Sequence, residues 1–262
     1  MQNKINNKYT ARLGATLAAV SLMGGVALTG AGCKGANLGN VFTMSKSQEV
    51  QIGQQAAADI ERENKIVTSG AQYEQLQRVA ARIMPLARRD YDVPFTVKLI
   101  ENKQVNAFAL PGGPIYFYTG LLDLASSDDE VASVLGHEAT HVVKRHSAKQ
   151  ISDAQAKGLI AQLALGNSSR TVQTLAGIGL QLDQLSYSRE AESQSDELGF
   201  RYMTQAGYKP EAMASFFRKM GKANGGGGVE FLQSHPVTNK RVEAADKRAK
   251  AYQANPGANT VK

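Results

Sequence analysis

The sequence predicts an α+β fold, mostly helical, with a small β-sheet beside a helix that carries His137-Glu138-Ala-Thr-His141. Three observations predict it. Apolar residues recur at helical spacing along most of the chain, two β-rich segments lie close together in its first half, and the sharpest turn signal, Pro111-Gly112-Gly113-Pro114, falls inside the second of them.

The elements follow in order. Ser47 to Asn64 and Ser69 to Arg88 read as two amphipathic helices, and Phe95 to Ile100 as a strand. Phe108 to Tyr118 also reads as extended, but its proline-glycine break predicts a bent or hairpin-like strand rather than a straight run. Ser126 and Ser127, followed by Asp128, Asp129 and Glu130, supply an N-cap and an acidic first turn. Val131, Val134, Leu135 and Val142 then repeat on one face, so the His137 to His141 run lies within a helix. Glu138 projects from the middle of that apolar face, where a carboxylate needs a partner. Ala148 to Leu165 and Thr171 to Tyr187 are helical stretches joined at Gly166-Asn-Ser-Ser169, neither apolar and long enough to span a bilayer. They read as scaffold helices, or as a cover or partner surface over the site. Ser188 opens a further helix, and Gly225 to Gly228 marks a flexible loop just before His235.

Residues four apart on a helix project from one face, so His137 and His141 can grip one zinc ion while Glu138 reaches a zinc-bound water as its general base. That is the layout of a metal-assisted hydrolase. The longer pattern ending in a third histidine fails, because Lys144 and Ser147 stand where glycine and histidine would be. His146, nine residues after His137 and so half a turn round an uninterrupted helix, reads as structural. The third ligand is sought in Ser188 to Asp196. Glu192 and Asp196 are one turn apart and share a face with Gly199, Met203 and Ala206, whereas Glu190, Glu197 and Arg201 point the other way. Helical phase makes Glu192 the inward carboxylate able to ligate zinc and Asp196 the residue that holds a ligand histidine from behind.

With these residues in place the chain resembles the zinc peptidases of metallopeptidase family forty-eight, the family of HtpX and the CAAX prenyl proteases, and in particular its LoiP- and BepA-like periplasmic members. The resemblance runs from about Val93 to Lys247, through Asn106-Ala-Phe-Ala-Leu-Pro-Gly-Gly113, Tyr118-Thr-Gly-Leu-Leu122, Gly136 to His141, Ser188 to Asp196 and His235-Pro-Val-Thr-Asn-Lys-Arg241. It implies a minimal gluzincin, zincin-like fold with one zinc per chain held by His137, His141 and Glu192, and with Glu138 as base. It places His235 near the metal, as an oxyanion donor or a reversible fourth ligand. It also favours an edge of the 108 to 118 segment, with Asn106, Ala107, Phe108, Gly112 and Gly113, as the seat of an extended substrate bound through its backbone. Tyr187 is a further candidate oxyanion donor. Arg241 pairs either with an acid or with a substrate carboxylate.

The first thirty-three residues set the expected compartment. Lys4, Lys8 and Arg12, an apolar stretch from Leu13 to Leu28, and a small-residue run ending at Cys33, the chain's one cysteine, read as an export signal. A lone cysteine excludes an internal disulfide but suits lipidation at a new N-terminus, with Lys34 favouring the outer membrane by analogy with lipoprotein sorting. Gly30 departs from the usual leucine three before the cysteine. The expected division is residues 1–32 as signal, 33–46 as tether, 47–254 as the metallopeptidase domain and 255–262 as a tail. Residues 1–32 hold three of the 30 basic residues and none of the 23 acidic ones, so the formal charge of +7 falls to +4 once they are removed. That balance, with no arginine-rich patch, gives no case for nucleic-acid binding. The expected function is a periplasmic, lipid-anchored endopeptidase for misfolded or unassembled envelope proteins, with the outer-membrane assembly machinery as a partner. A zinc-stabilised chaperone that cuts rarely is the alternative.

Overall fold

A computed structural model describes residues 44–154, 186–223, 229 and 231–256. The expected signal, the cysteine and most of the two stretches expected between 148 and 187 lie outside the described residues, as do residues 225–228. No helix among the described residues is long and apolar enough to cross a membrane.

The chain begins with α1 (Lys46–Glu63), opened by a capping box in which Ser45 and Gln48 satisfy each other's backbone amides. A two-residue strand β1 (Ile66–Val67) leads into α2 (Ala71–Asp90), then β2 (Thr96–Ile100), β3 (Ala107–Ala109) and β4 (Pro114–Tyr118). The sheet order is β1-β2-β4-β3, with β2 and β4 parallel and both outer pairs antiparallel. The expected bent strand is therefore the β3–β4 hairpin. Its turn needs Gly112 and Gly113, which have φ of +72° and +128° and lie so close to the backbones of Val50 and Pro94 that a Cβ would sit 2.5 and 2.6 Å from them. Those contacts account for both glycines by packing.

Both faces of the sheet are covered. Leu99, Ala107, Ala109, Ile115 and Phe117 face the main core with α2 and the helices that follow, while Ile100, Phe108, Tyr116 and Tyr118 join Ala56 and Ala57 of α1 in a second cluster. The period of two in β4 divides its side chains between these cores. After the short α3 (Thr119–Leu124) comes α4 (Asp128–Val143), the helix of the His137 to His141 run. It packs chiefly on α5 (Arg189–Gln205) and α2, and also touches β3. Residues 146–154 are helical, and α6 (Ala212–Ala223), α7 (Phe231–Ser234) and α8 (Asn239–Ala254) complete the described chain. The sequence reading did not resolve β1, α3, α6, α7 or α8.

The acidic start of α4 does more than complement the helix dipole. Ser127 caps it; Asp128 forks onto Arg78 of α2, Asp129 accepts from the Lys209 amide, and buried Glu130 pairs with Lys219 of α6 at 2.6 Å. Glu130 also accepts from Ser215 and the Ser126 amide. Burial alone raises its pKa, but Lys219 and these donors outweigh burial and hold it below 4.5. Its ionised form thus stabilises the fold above about pH 4.5, and that contribution is lost as the pH falls through the depressed value. Glu130→Gln is expected to cost about 1–3 kcal/mol at pH 7. Denaturant melts at pH 7 and pH 3 should show the gap from wild type closing at the lower pH.

Candidate metal centre

The close crossing of α4 and α5 builds the site. A Cβ on Gly136 would lie 2.7 Å from the Gly199 carbonyl oxygen, and one on Gly199 would lie 2.7 Å from the His137 nitrogen, so the two backbones touch at the start of the His137 to His141 run. Ser188 caps α5 through the Ala191 amide, which sets Glu192 in its first turn against the ligand face of α4. The helical phase read from the sequence is the phase observed. Glu192, Asp196, Gly199 and Met203 are buried, while Glu190 and Glu197 are exposed.

Four donor side chains converge. His137 Nε2 and His141 Nε2 are 3.1 Å apart, Glu192 Oε1 is 3.4 Å from His141 Nε2, and Glu192 Oε2 is 3.7 Å from His137 Nε2. His235 brings Nδ1 to 3.3 Å from His137 Nε2 and 2.8 Å from Glu192 Oε1. One donor atom from each of the four falls within 4.8 Å of the others. An ion with bonds of about 2.0–2.1 Å in a tetrahedral shell separates its donors by roughly 3.3 Å, so the cluster matches zinc in donor type and in spacing. His235 follows α7, its amide bonded to the Phe231 carbonyl and its ring stacked on Phe231 and Tyr187.

Glu138 is the second sign of fit. It is 0% exposed, and neither carboxylate oxygen has a hydrogen-bond partner among the described residues; the His235 ring lies near it, with Nε2 at 3.5 Å. Burial raises its pKa. A carboxylate in that state is poised for a partner that arrives from outside the fold.

Behind the donors, Asp196 Oδ1 lies 3.0 Å from His137 Nδ1, as expected for a residue that fixes the ring, and Arg241 locks Asp196 with bonds of 2.8 and 2.7 Å. Arg241 also reaches Glu192 Oε2 at 2.6 Å and the Pro236 carbonyl. Of the two roles open to Arg241, the structure displays the acid pair. Burial disfavours the His137 cation, yet Glu192 and Asp196 overcome it and push the pKa up to about 9; burial drives His141 well below its usual value. The Tyr187 hydroxyl pairs with that of Ser147 at 2.8 Å, and its ring covers His141 at 3.9 Å.

The expected substrate residues divide. Asn106, Ala107 and Phe108 are buried; the side chains of Ala107 and of Phe108, which stacks on Tyr116, belong to the two cores. The β3 backbone is different. Hydrogen bonds from Leu110 N to Pro114 O and from Tyr118 N to Asn106 O make the even positions the bonded pairs, which turns the amides and carbonyls of Ala107 and Ala109 to the outer edge. No described strand pairs beyond it.

The sequence reading missed the contacts of His146. It assumed an unbroken helix, but α4 ends at Val143 and the chain reverses at Arg145, which has φ of +60°. His146 thereby folds back to put Nδ1 at 3.0 Å from His141 Nδ1. It is not among the convergent donors, in keeping with its structural reading.

A buried cluster of His137, His141 and Glu192 on two crossed helices, joined by His235 and set beside a small mixed sheet, defines a zincin-like metallopeptidase domain. Peptidase family M48, whose members are zinc-dependent, matches residues 71–249, and the chain belongs to it. Among curated proteins it is similar to mitochondrial metalloendopeptidase OMA1 of Schizosaccharomyces pombe, 33% identical over 64% of this chain and 50% of the relative. It is also similar to two Escherichia coli proteins. Beta-barrel assembly-enhancing protease is 27% identical over 82% of this chain and 46% of the relative, and metalloprotease LoiP is 26% identical over 80% and 83%. The chain thus spans about half the length of the first two.

Proposed function

We propose that this chain is a zinc-dependent endopeptidase that cleaves misfolded or unassembled cell-envelope proteins. The observation that carries the reading is a fully buried Glu138, with no hydrogen bond to either oxygen among the described residues, beside the convergent His137, His141, Glu192 and His235. In this reading His137, His141 and Glu192 hold the metal. Bound zinc supplies a Lewis acid that lowers the pKa of water and polarises the scissile carbonyl. Glu138 takes the proton of the attacking water and passes it to the departing amine; its raised pKa suits both transfers. Asp196, clamped by Arg241, orients His137. The outer edge of β3 takes the substrate as an added strand, a mode that reads backbone and therefore tolerates varied sequences in unfolded chains.

The envelope setting rests on the export signal, with lipidation at Cys33 as the proposed anchor to the outer membrane, and on relatives named as a beta-barrel assembly-enhancing protease and LoiP. The division at residues 32, 46 and 254 and a partnership with outer-membrane assembly machinery are parts of the same proposal. Purified protein should degrade an unfolded outer-membrane protein, stop with chelator and resume with zinc. Selective cleavage of a folded partner instead would count against it.

One feature favours a second reading. Four protein donors form a closed set, as in structural zinc sites, whereas catalytic sites keep a position open. A zinc-stabilised holding factor, or a peptidase kept latent by His235, shares that geometry. Under latency, His235→Ala should retain zinc and raise the cleavage rate. A fall of about 10²–10³-fold would instead make His235 an oxyanion donor, and no cleavage by either protein would favour the holding factor.

A further inference from the structure

Each of two histidines on α4 has a partner on its far ring nitrogen, and the two partners differ. His137 has the Asp196 carboxylate; His141 has a neutral ring, His146, with Nδ1 facing Nδ1 at 3.0 Å. His146 Nε2 lies 3.1 Å from Gln194 Oε1, and the same amide places Nε2 at 3.2 Å from Glu190 Oε1 on the surface. A metal held on His141 Nε2 fixes the polarity of this chain of bonds. Nε2 faces the convergent donors, and with its lone pair given to an ion the His141 proton would reside on Nδ1 and be donated to His146 Nδ1. A neutral His146 then carries its proton on Nε2 and donates to the Gln194 carbonyl, which leaves the Gln194 NH2 to donate to Glu190. The opposite polarity would put the His141 proton on Nε2, where the lone pair is needed, and would flip Gln194 away from Glu190.

The backbone is distorted to make this contact. Arg145 is the only non-glycine residue with positive φ among the described residues, a strained conformation that persists where its surroundings enforce it. The enforcement is visible. Buried Glu49 of α1 pairs with the Arg145 guanidinium, which also donates to the Met44 carbonyl, and Tyr91 donates to the second Glu49 oxygen at 3.1 Å. Without the reversal, a continuing helix would carry residue 146 round the axis from His141 and off its Nδ1.

We propose that His146 is the positioning residue for His141, fixing its tautomer and ring angle for metal binding, and that the Arg145 turn with its Glu49 clamp exists to place it. This rests on the reading of His141 as a zinc ligand. The test is zinc affinity, measured by competition with a chromogenic chelator, alongside thermal melts of the metal-free protein. His146→Phe keeps the ring volume but removes the acceptor, and is expected to weaken zinc about 10–100-fold, as for other outer partners of ligand histidines, whereas His146→Asn, with an amide oxygen at the Nδ1 position, should stay within about threefold of wild type. The metal-free melts should stay close to wild type. Wild-type affinity in His146→Phe, or an Asn variant as weak as the Phe variant, overturns the proposal. Should His146→Phe not fold, Gln194→Leu at its half-buried position asks the same question, since loss of the Nε2 acceptor frees the ring to take the competing tautomer; weaker zinc supports the proposal and unchanged zinc overturns it. Wild-type protein that binds no stoichiometric zinc would overturn the ligand reading itself, which separates the two failures.

Discussion

Glu138→Gln is expected to slow cleavage of an unfolded substrate by about 10²–10⁴-fold, the range for loss of a general base, with zinc content unchanged at one per chain. Glutamine has the same shape, so α4 keeps its packing and the four donors keep their positions. What it lacks is the basic oxygen. It also relieves the fold of a buried carboxylate that no described group satisfies, so the variant should melt at a higher temperature than wild type. The two shifts together are diagnostic. A mutation that merely damaged the site would lower both activity and stability, whereas a functional carboxylate held at the expense of the fold gives lower activity and higher stability. Cleavage at the wild-type rate would remove Glu138 from the chemistry.

Why that carboxylate could be singled out in advance is a matter of period. On α4 the apolar stripe and the His137 to His141 run share one helix, and 100° per residue places Glu138 in the stripe without any knowledge of the fold. The same arithmetic turned Glu192 and Asp196 inward and Glu190 and Glu197 outward on α5, and burial follows that phase because both helices are regular across the residues concerned. It failed at His146, for the same reason inverted. The half-turn phase of His146 holds only on an unbroken helix, whereas α4 stops at Val143, and the turn that follows is held by Glu49, ninety-six residues from Arg145, which no local pattern announces. Nor could spacing place Arg241 on Asp196 and Glu192, although its pairing with an acid was one of two roles left open. The sheet was legible where turn chemistry was strong, at Pro111 to Pro114. The two residues of β1 carry too little pattern to read, and only their pairing with Ile100 and Leu99 defines them.

Gly199→Ala is expected to weaken zinc binding more than any other substitution of that size away from the ligands. The added Cβ would sit 2.7 Å from the His137 nitrogen and 2.8 Å from the Gly136 carbonyl carbon, and these are backbone atoms of a helix with no freedom to step aside. Relief requires α5 to move off α4. Glu192 rides on the same helix two turns earlier, so its carboxylate moves away from both imidazoles at once, while Asp196 loses its seat behind His137. Overpacking of this kind costs about 1–3 kcal/mol of stability, and a second-sphere displacement at a histidine ligand weakens metal by about 10–100-fold. The control is Gly221→Ala on α6, where an added Cβ meets nothing within 4 Å. There helix propensity alone should act, raising stability by about 0.5–1 kcal/mol and leaving zinc affinity at the wild-type value. Zinc titration and denaturant melts of the two variants in parallel decide the matter: if Gly199→Ala behaves like Gly221→Ala, the touching backbones do not set the distance between Glu192 and the histidines.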